Sequence, residues 1–394
     1  MHGGRHACSR KAAWQCCGYW RTGQDRLLPR NSGGGLGEYP SGLGPSPGAI
    51  RAGVHAWWWV DRRACSPVAQ VYVCDGGAMS VHTCLSRREL LFGVCACCVT
   101  GLPRQAAAAA GPTFPTDEVA PGIHFRRGID EDATPANDGA IANIGFIIGR
   151  DAVAVIDPGG SLVDGQRLRA TIRSATNLPI RFVVMSHVHP DHIFGAGAFA
   201  EDKPQFVGHA LLPNALAQRG EYYRTHLEQI LGQGKAGPVI TPTLLVKDQG
   251  QIDLGGRVLE ITAHGNAHTD CDLTVLDRRT GTLVLSDLLF VERVPSLDGS
   301  LKGWLAELAK LKTLGARRAV PGHGPTGVDW PAASRDLERY LGTLQRETRE
   351  AIAKGLDIGQ AAKTVALSER DKWKLFDDYN GHNVTRAYKE LEWD

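Results

Sequence analysis

The stretch Ser186-His187-Val188-His189-Pro190-Asp191-His192 constrains this chain more than any other. It follows the apolar run Phe182-Val183-Val184-Met185, whose polar flanks predict a buried strand. The three histidines and the aspartate then fall on the loop at the end of that strand. Four metal-capable side chains within six positions have little structural use there. Buried imidazoles and carboxylates need partners, and a short apolar strand offers only a metal ion or one another. A surface loop holding chance histidines is disfavoured, because two later histidines and an aspartate complete the set in order.

The pattern around this loop predicts an alternation of strands and helices. Residues 141–148 and 152–156 are rich in β-formers, with a tight turn at Gly149-Arg150-Asp151. The second strand ends at Asp157-Pro158-Gly159-Gly160, whose glycines permit a sharp turn. A helix is expected over 162–175, then the metal strand, the order of one half of a layered sandwich. Beyond the loop, 194–199 and 211–231 look helical and 205–209 a short strand. A second run of strands spans 243–294, with a hairpin of 273–276 and 282–285 that delivers Asp287 at the end of its second strand. Leu301, Trp304, Leu305, Leu308 and Leu311 form one apolar helical stripe, read as core packing. A strand at 318–320 ends at Pro321-Gly322-His323-Gly324-Pro325. Further helices are expected around Leu337–Leu344, 358–365 and 384–391.

His187-X-His189-X-Asp191-His192 resembles the metal motif of metallo-β-lactamase-fold hydrolases, and the resemblance covers roughly residues 119–394. It implies an α+β fold, a four-layer αββα sandwich with its ligands on loops along one sheet edge. It also implies that His187, His189 and His268 hold one zinc ion. Asp191, His192 and His323 hold the second, and Asp287 bridges the two. Asp157 is implied to stand near the metals as structural support without binding them. His124, His209, His226, His264 and His382 have no companion at ligand spacing and read as satisfied histidines.

This ligand set makes chemical sense. Three neutral imidazoles leave an open tetrahedral zinc position for water. A second cation ~3.5–4 Å away helps lower the pKa of water to about 7, giving a nucleophile without a serine or cysteine. Asp191 is then also the candidate catalytic residue, orienting the nucleophile and carrying a proton. A structural zinc site is usually closed, four-coordinate and often cysteine-rich. No cysteine stands in ligand position here, and Cys271, between Asp270 and Asp272, reads as a small buried residue.

The front of the chain differs in kind. Residues 1–110 carry 12 Lys/Arg against 5 Asp/Glu and hold nine of the ten cysteines; the remainder carries 32 against 37. A mildly acidic body argues against nucleic-acid binding. Residues 1–78 show no helical or strand pattern and are expected to be a non-native or disordered extension. Met79, the pair Arg87-Arg88, the apolar run 92–102 and the alanines at 106–110 match a signal peptide over 79–110, of the twin-arginine type. That run is too short for a membrane anchor, which needs ~20 residues. The expectation is a hydrolase domain at 111–394 with C-terminal helices, exported to the periplasm.

Narrower resemblance comes from residues 140–146, from 287–295 and from Asp298-Gly299-Ser300-Leu301-Lys302-Gly303-Trp304, which are similar to the quinoprotein relay system zinc metallohydrolases. It implies a small-molecule substrate, such as an ester or lactone from alcohol oxidation, and a functional link to periplasmic quinoprotein dehydrogenases. The loop 292–304 is expected to line the substrate pocket, with Arg293 and Lys302 as candidate substrate contacts. Three alternatives remain. A β-lactam hydrolase is weakened because Phe290 stands where bridging-cysteine β-lactamases carry a lysine. A mono-iron persulfide oxygenase keeps the motif, with iron in place of zinc. A non-catalytic binding module is disfavoured by the intact ligand set.

Overall fold

A computed structural model describes residues 112–394. The expected extension at 1–78 and export signal at 79–110 lie outside the described residues.

Thirteen short strands form two sheets among the described residues. The first holds β1 (Asp117–Ala120), β2 (Ile123–Arg126), β3 (Ile144–Ile148), β4 (Val153–Ile156), β5 (Ile180–Val184), β6 (Gln205–His209) and β7 (Leu244–Val246) in sequential order. Strands β1 to β4 pair antiparallel, and β4 to β7 parallel. The second sheet runs from β8 (Gln249–Asp253) through β9 (Val258–Ala263), β10 (Leu273–Asp277), β11 (Thr282–Phe290) and β12 (Arg318–His323) to β13 (Val328–Asp329). The helices are α1 (Leu162–Ala175), α2 (Pro190–Ile193), α3 (Leu212–Leu231), α4 (Leu301–Leu311), α5 (Ser334–Ala353), α6 (Ile358–Thr364) and α7 (Phe376–Leu391). None of them is long and apolar enough to cross a membrane.

The period of two along each strand sorts the core into layers. On β4, Ala154 and Ile156 join Val184, Val207, Leu259, Ile261, Val275 and Val284 in the seam between the sheets. Val153 and Val155 point the other way, onto Leu168 and Ile172 of α1. On β11, Val284 enters the seam, while Leu283 and Leu285 meet Trp304 and Leu308 of α4 and Tyr340 and Leu344 of α5. The result is helix, sheet, sheet, helix: the expected αββα sandwich.

Several expected boundaries shift. The segment after the metal loop is a 3₁₀ helix at Phe194–Asp202, not an α-helix. Strand β11 does not stop before Asp287 but runs on to Phe290, alongside β12. Its register breaks at Ser286, which adopts φ +46°. The hydrophobic pattern of 286–290 does not alternate, so the extension is visible only from pairing with a distant strand. The turn at Gly149–Asp151 forms as expected, closing β3 onto β4.

Candidate metal centre

Strand β5 runs straight into the histidine loop, and Pro190 then starts α2, where its missing N–H is harmless. This hand-over places His187, His189, Asp191 and His192 at one end of the first sheet. The second sheet supplies the rest. His268 lies on the loop between β9 and β10, Asp287 inside β11, and His323 at the end of β12. The structure brings all seven together in two groups: His187, His189, His268 and Asp287, then Asp191, His192 and His323.

The distances show how the groups meet. Oδ2 of Asp287 lies 3.2 Å from His268 Nε2 and 3.7 Å from His187 Nε2. Its Oδ1 lies 3.0 Å from His192 Nε2 and 3.5 Å from His323 Nε2. One carboxylate oxygen thus faces each group. Asp191 Oδ2 is 3.3 Å from His323 Nε2 and 3.6 Å from His192 Nε2.

Each ring is held from behind by an oxygen on its far nitrogen. His187 Nδ1 meets Ser186 Oγ at 2.9 Å, His192 Nδ1 meets Asp157 Oδ2 at 2.8 Å, and His268 Nδ1 meets Ser296 O at 2.7 Å. His323 Nδ1 lies 3.0 Å from Ile141 O. His189 is turned over: its Nδ1 faces His268 Nε2 at 2.9 Å, and its Nε2 faces Asp298 Oδ2 at 3.4 Å. Such outer partners fix ring orientation and tautomer.

Asp157 anchors the loop. Its carboxylate accepts from Ser186 N at 2.8 Å, Ser186 Oγ at 2.9 Å and Ser286 Oγ at 2.8 Å, besides His192. It holds φ +54°, a left-handed conformation that aspartate tolerates better than most residues.

The fit to a cation can be judged from the buried atoms. His187 Nε2, His192 Nε2 and Asp287 Oδ1 are buried and make no well-directed hydrogen bond, although the last two lie 3.0 Å apart, and all three face the centre. Buried polar atoms are normally satisfied, so three convergent orphans mark a missing partner. Imidazole and carboxylate are apt ligands for zinc and similar divalent ions. Burial, then the neighbouring His192, holds the His187 imidazole well below its usual pKa and hence neutral, as a ligand must be. Burial opposes ionisation of Asp287 and Asp191. Their imidazole neighbours, His192 foremost, outweigh it and hold both carboxyls below the usual range.

The centre opens into a cleft that Asp191, Asp287 and His323 share with Ile141, Phe290 and Tyr379. Asp191 keeps 15% of its side chain exposed, whereas Asp287 keeps 4%. Arg293, Val294 and Ser296 also line the cleft, so the front of loop 292–304 does border it, while Trp304 packs into the core. Lys302 is not brought there. It lies on α4 with its ammonium on Asp394 and is not among the lining residues.

The remaining histidines fall outside the two groups. His264 sits between Glu307 and Thr274, at 2.9 Å from each. His209 Nδ1 accepts from Leu211 N at 3.0 Å, and His124 stacks on Phe146. Cys271 is fully buried, and burial pushes its thiol pKa well up, as an inert core residue requires. Sequence reasoning missed Tyr379, which reaches the cleft from α7, and Asp298, which backs His189. Neither has a local signal. The Ser186 and Ser286 hydroxyls were likewise unread, though each adjoins a candidate ligand.

Known proteins resemble this chain over part of its length. Residues 137–323 match the model of the family described as the Metallo-beta-lactamase superfamily. A curated relative, the linear primary-alkylsulfatase of Pseudomonas sp. (strain ATCC 19151), is 29% identical over a stretch covering 52% of this chain and 44% of that one. The chain thus spans less than half the length of that relative. Among solved structures, the stereoselective inverting sec-alkylsulfatase Pisa1 from Pseudomonas sp. superposes with a TM-score of 0.55 at 17% identity, covering 70% of this chain and 50% of its own. A metallo-beta-lactamase from Pontibacter korlensis gives a TM-score of 0.46 at 18% identity, covering 58% and 98%.

Proposed function

We propose, from the premise that residues 137–323 form a metallo-beta-lactamase superfamily domain, that this protein is a hydrolase working with two divalent cations, zinc by the chemistry of the donors. His187, His189 and His268 would hold one, Asp191, His192 and His323 the other, and Asp287 would give one oxygen to each. The single observation that carries this reading is the convergence of three buried donor atoms, none with a well-directed hydrogen bond, on one centre beside an open cleft. Divalent cations supply Lewis acidity and lower the pKa of water to about 7.

The chain's own residues do the rest. Asp191 is the one carboxylate of the centre with appreciable exposure to the cleft, so its Oδ2 can receive a proton from attacking water and hand it to a leaving group. Ile141, Phe290 and Val294 give the cleft apolar walls that exclude bulk water from the reacting bond.

For the substrate we propose an ester or lactone produced by alcohol oxidation, in an exported protein linked to a periplasmic quinoprotein dehydrogenase system. Support comes from the resemblance of 140–146, 287–295 and 298–304 to the quinoprotein relay system metallohydrolases and from the signal-like stretch 79–110. A second reading, sulfate-ester hydrolysis, is favoured by the alkylsulfatase relative. A panel of esters, lactones, β-lactams and alkyl sulfates, run on zinc-loaded protein with His189→Ala as control, tests both. Activity on carboxylic esters or lactones that vanishes in the variant is expected. Turnover of alkyl sulfates alone would select the second reading, and equal inertness of both proteins would remove the hydrolase assignment.

A further inference from the structure

Three polar side chains on one face of α7, Asn383, Arg386 and Glu390, bond to the stretch 295–302 in chain order. The Asn383 amide oxygen accepts from Leu297 N at 2.8 Å, and its NH₂ donates to Pro295 O at 2.7 Å. Arg386 NH2 donates to Asp298 O and, at 3.1 Å, to Gly299 O. Glu390 accepts from Ser300 Oγ at 2.8 Å and from Leu301 N at 2.7 Å.

Packing does not call for these groups. Val384, Ala387 and Leu391 already seat α7 in the apolar cluster with Trp304 and Leu344. Asn383 is 0% exposed, and a buried amide is costly unless its bonds are made. A leucine of nearly the same shape would fill the place without that demand. What the amide adds is a grip on the two peptide groups that flank Ser296.

Leu297 N and Ser296 O belong to one planar peptide group. Holding the nitrogen from α7 therefore aims the carbonyl, which receives His268 Nδ1 at 2.7 Å. A carbonyl only accepts, so the His268 proton stays on Nδ1 and Nε2 is left for a cation. Arg386 grips the next anchor, Asp298, by its main chain, and the Asp298 carboxylate backs His189 Nε2. Asp298 N and Gly299 N in turn donate to His268 O at 3.1 and 2.7 Å. We infer that Asn383 and Arg386 are positioning residues for the group of His187, His189 and His268, acting through Ser296 and Asp298. This rests on the reading of the centre as a two-cation site. The helix that carries them lies beyond residues 137–323, the stretch that matches the superfamily model. The other group is held by different partners: Asp157 backs His192, and Ile141 O backs His323.

Chelator competition on the full zinc-loaded chain gives a dissociation constant for each zinc. His189→Ala, which keeps only the zinc of the Asp191, His192 and His323 group, assigns them. Asn383→Leu should weaken the zinc of the His187, His189 and His268 group by roughly tenfold, the lower end of the effect of an outer partner, and leave the other unchanged. Arg386→Met should act in the same direction. Losing a positive charge would by itself favour a cation, so a fall reports the loop and not the charge. Arg386→Lys, which keeps a donor, should recover part of the loss. Tyr340→Phe is the structural control: it removes the other partner of the Asn383 NH₂, 2.9 Å away, and leaves 295–302 untouched. It should lower the unfolding temperature without moving either constant. The inference is overturned if neither Asn383→Leu nor Arg386→Met weakens zinc, if both zincs weaken alike, or if Tyr340→Phe weakens the same zinc as much. Should Asn383→Leu fail to fold, the two Arg386 variants decide alone. A wild type that binds fewer than two zincs refutes the two-cation reading itself, whereas two zincs with unmoved constants refute only the positioning.

Discussion

Replacing Asp157 by asparagine changes hydrogen-bonding sense without changing volume. Asp157 accepts four hydrogen bonds, two from Ser186 and one each from Ser286 and His192. The amide keeps an oxygen for Ser186 N but sets an NH₂ against the Nδ1 proton of His192. Flipping the amide moves the clash onto the Ser186 N–H. The serine hydroxyls can adjust, because they lie 2.8 Å apart and can satisfy each other. The imidazole can adjust by leaning its Nδ1 proton on Ser286 Oγ, 3.3 Å away, or by shifting that proton to Nε2, the atom aimed at Asp287 and Asp191. A proton there blocks the donor that a cation needs. The metal-free protein should lose about 1–3 kcal/mol, the cost of one frustrated buried group. Affinity at the Asp191, His192 and His323 group should fall by roughly 10–100-fold, with His187, His189 and His268 less affected. Equilibrium dialysis against graded chelator, followed by elemental analysis, reads the second number; thermal unfolding without metal reads the first. Should Asp157→Asn retain both metals with wild-type affinity, His192 does not owe its orientation to Asp157 and the reasoning fails.

Gly322→Ala should abolish metal binding, since an added Cβ would lie 1.8 Å from Asp287 Oδ1 and 2.8 Å from its backbone nitrogen. Normal zinc content in that variant would contradict the placement of β12 against β11. His189→Ala should lose the zinc of its own group and all turnover while keeping the far-ultraviolet circular dichroism of the wild type. Glu307 offers a pH test away from the centre. Its hydrogen bond to His264, with Lys310 adding, lowers its carboxyl pKa from 4.5 to about 2. A lowered folded pKa gives stability that is present above about 4.5 and lost as pH falls towards about 2. Glu307→Gln should therefore flatten the decline of stability across that window, read by denaturant unfolding at each pH.

Much of the centre was readable from the chain because its chemistry is concentrated. His187 to His192 stand together at the end of an apolar strand, and no packing argument explains four such side chains there. His268, Asp287 and His323 were readable only as members of a known pattern, since nothing local distinguishes His323 from His382. The sandwich followed from alternation on strands such as Val153–Ile156. What escaped was set by contacts between distant segments. Strand β11 continues past Ser286 because β12 lies beside it, and no periodicity in 286–290 reveals that. Tyr379 reaches the cleft because α7 packs on the outer face of the second sheet, 86 residues from Arg293 along the chain. Lys302 looked available in the sequence, but α4 turns its head group towards the C-terminal Asp394.

The donor atoms are divided between the two sheets, four residues arriving from the end of β5 and three from the second sheet. No single sheet, folded by itself, holds a complete set. Occupancy by metal would then act as a clasp across the seam, fastened only once the two halves have docked. Any fluctuation that slides one sheet over the other would loosen it, so the rate of metal escape would report on how often the sandwich breathes.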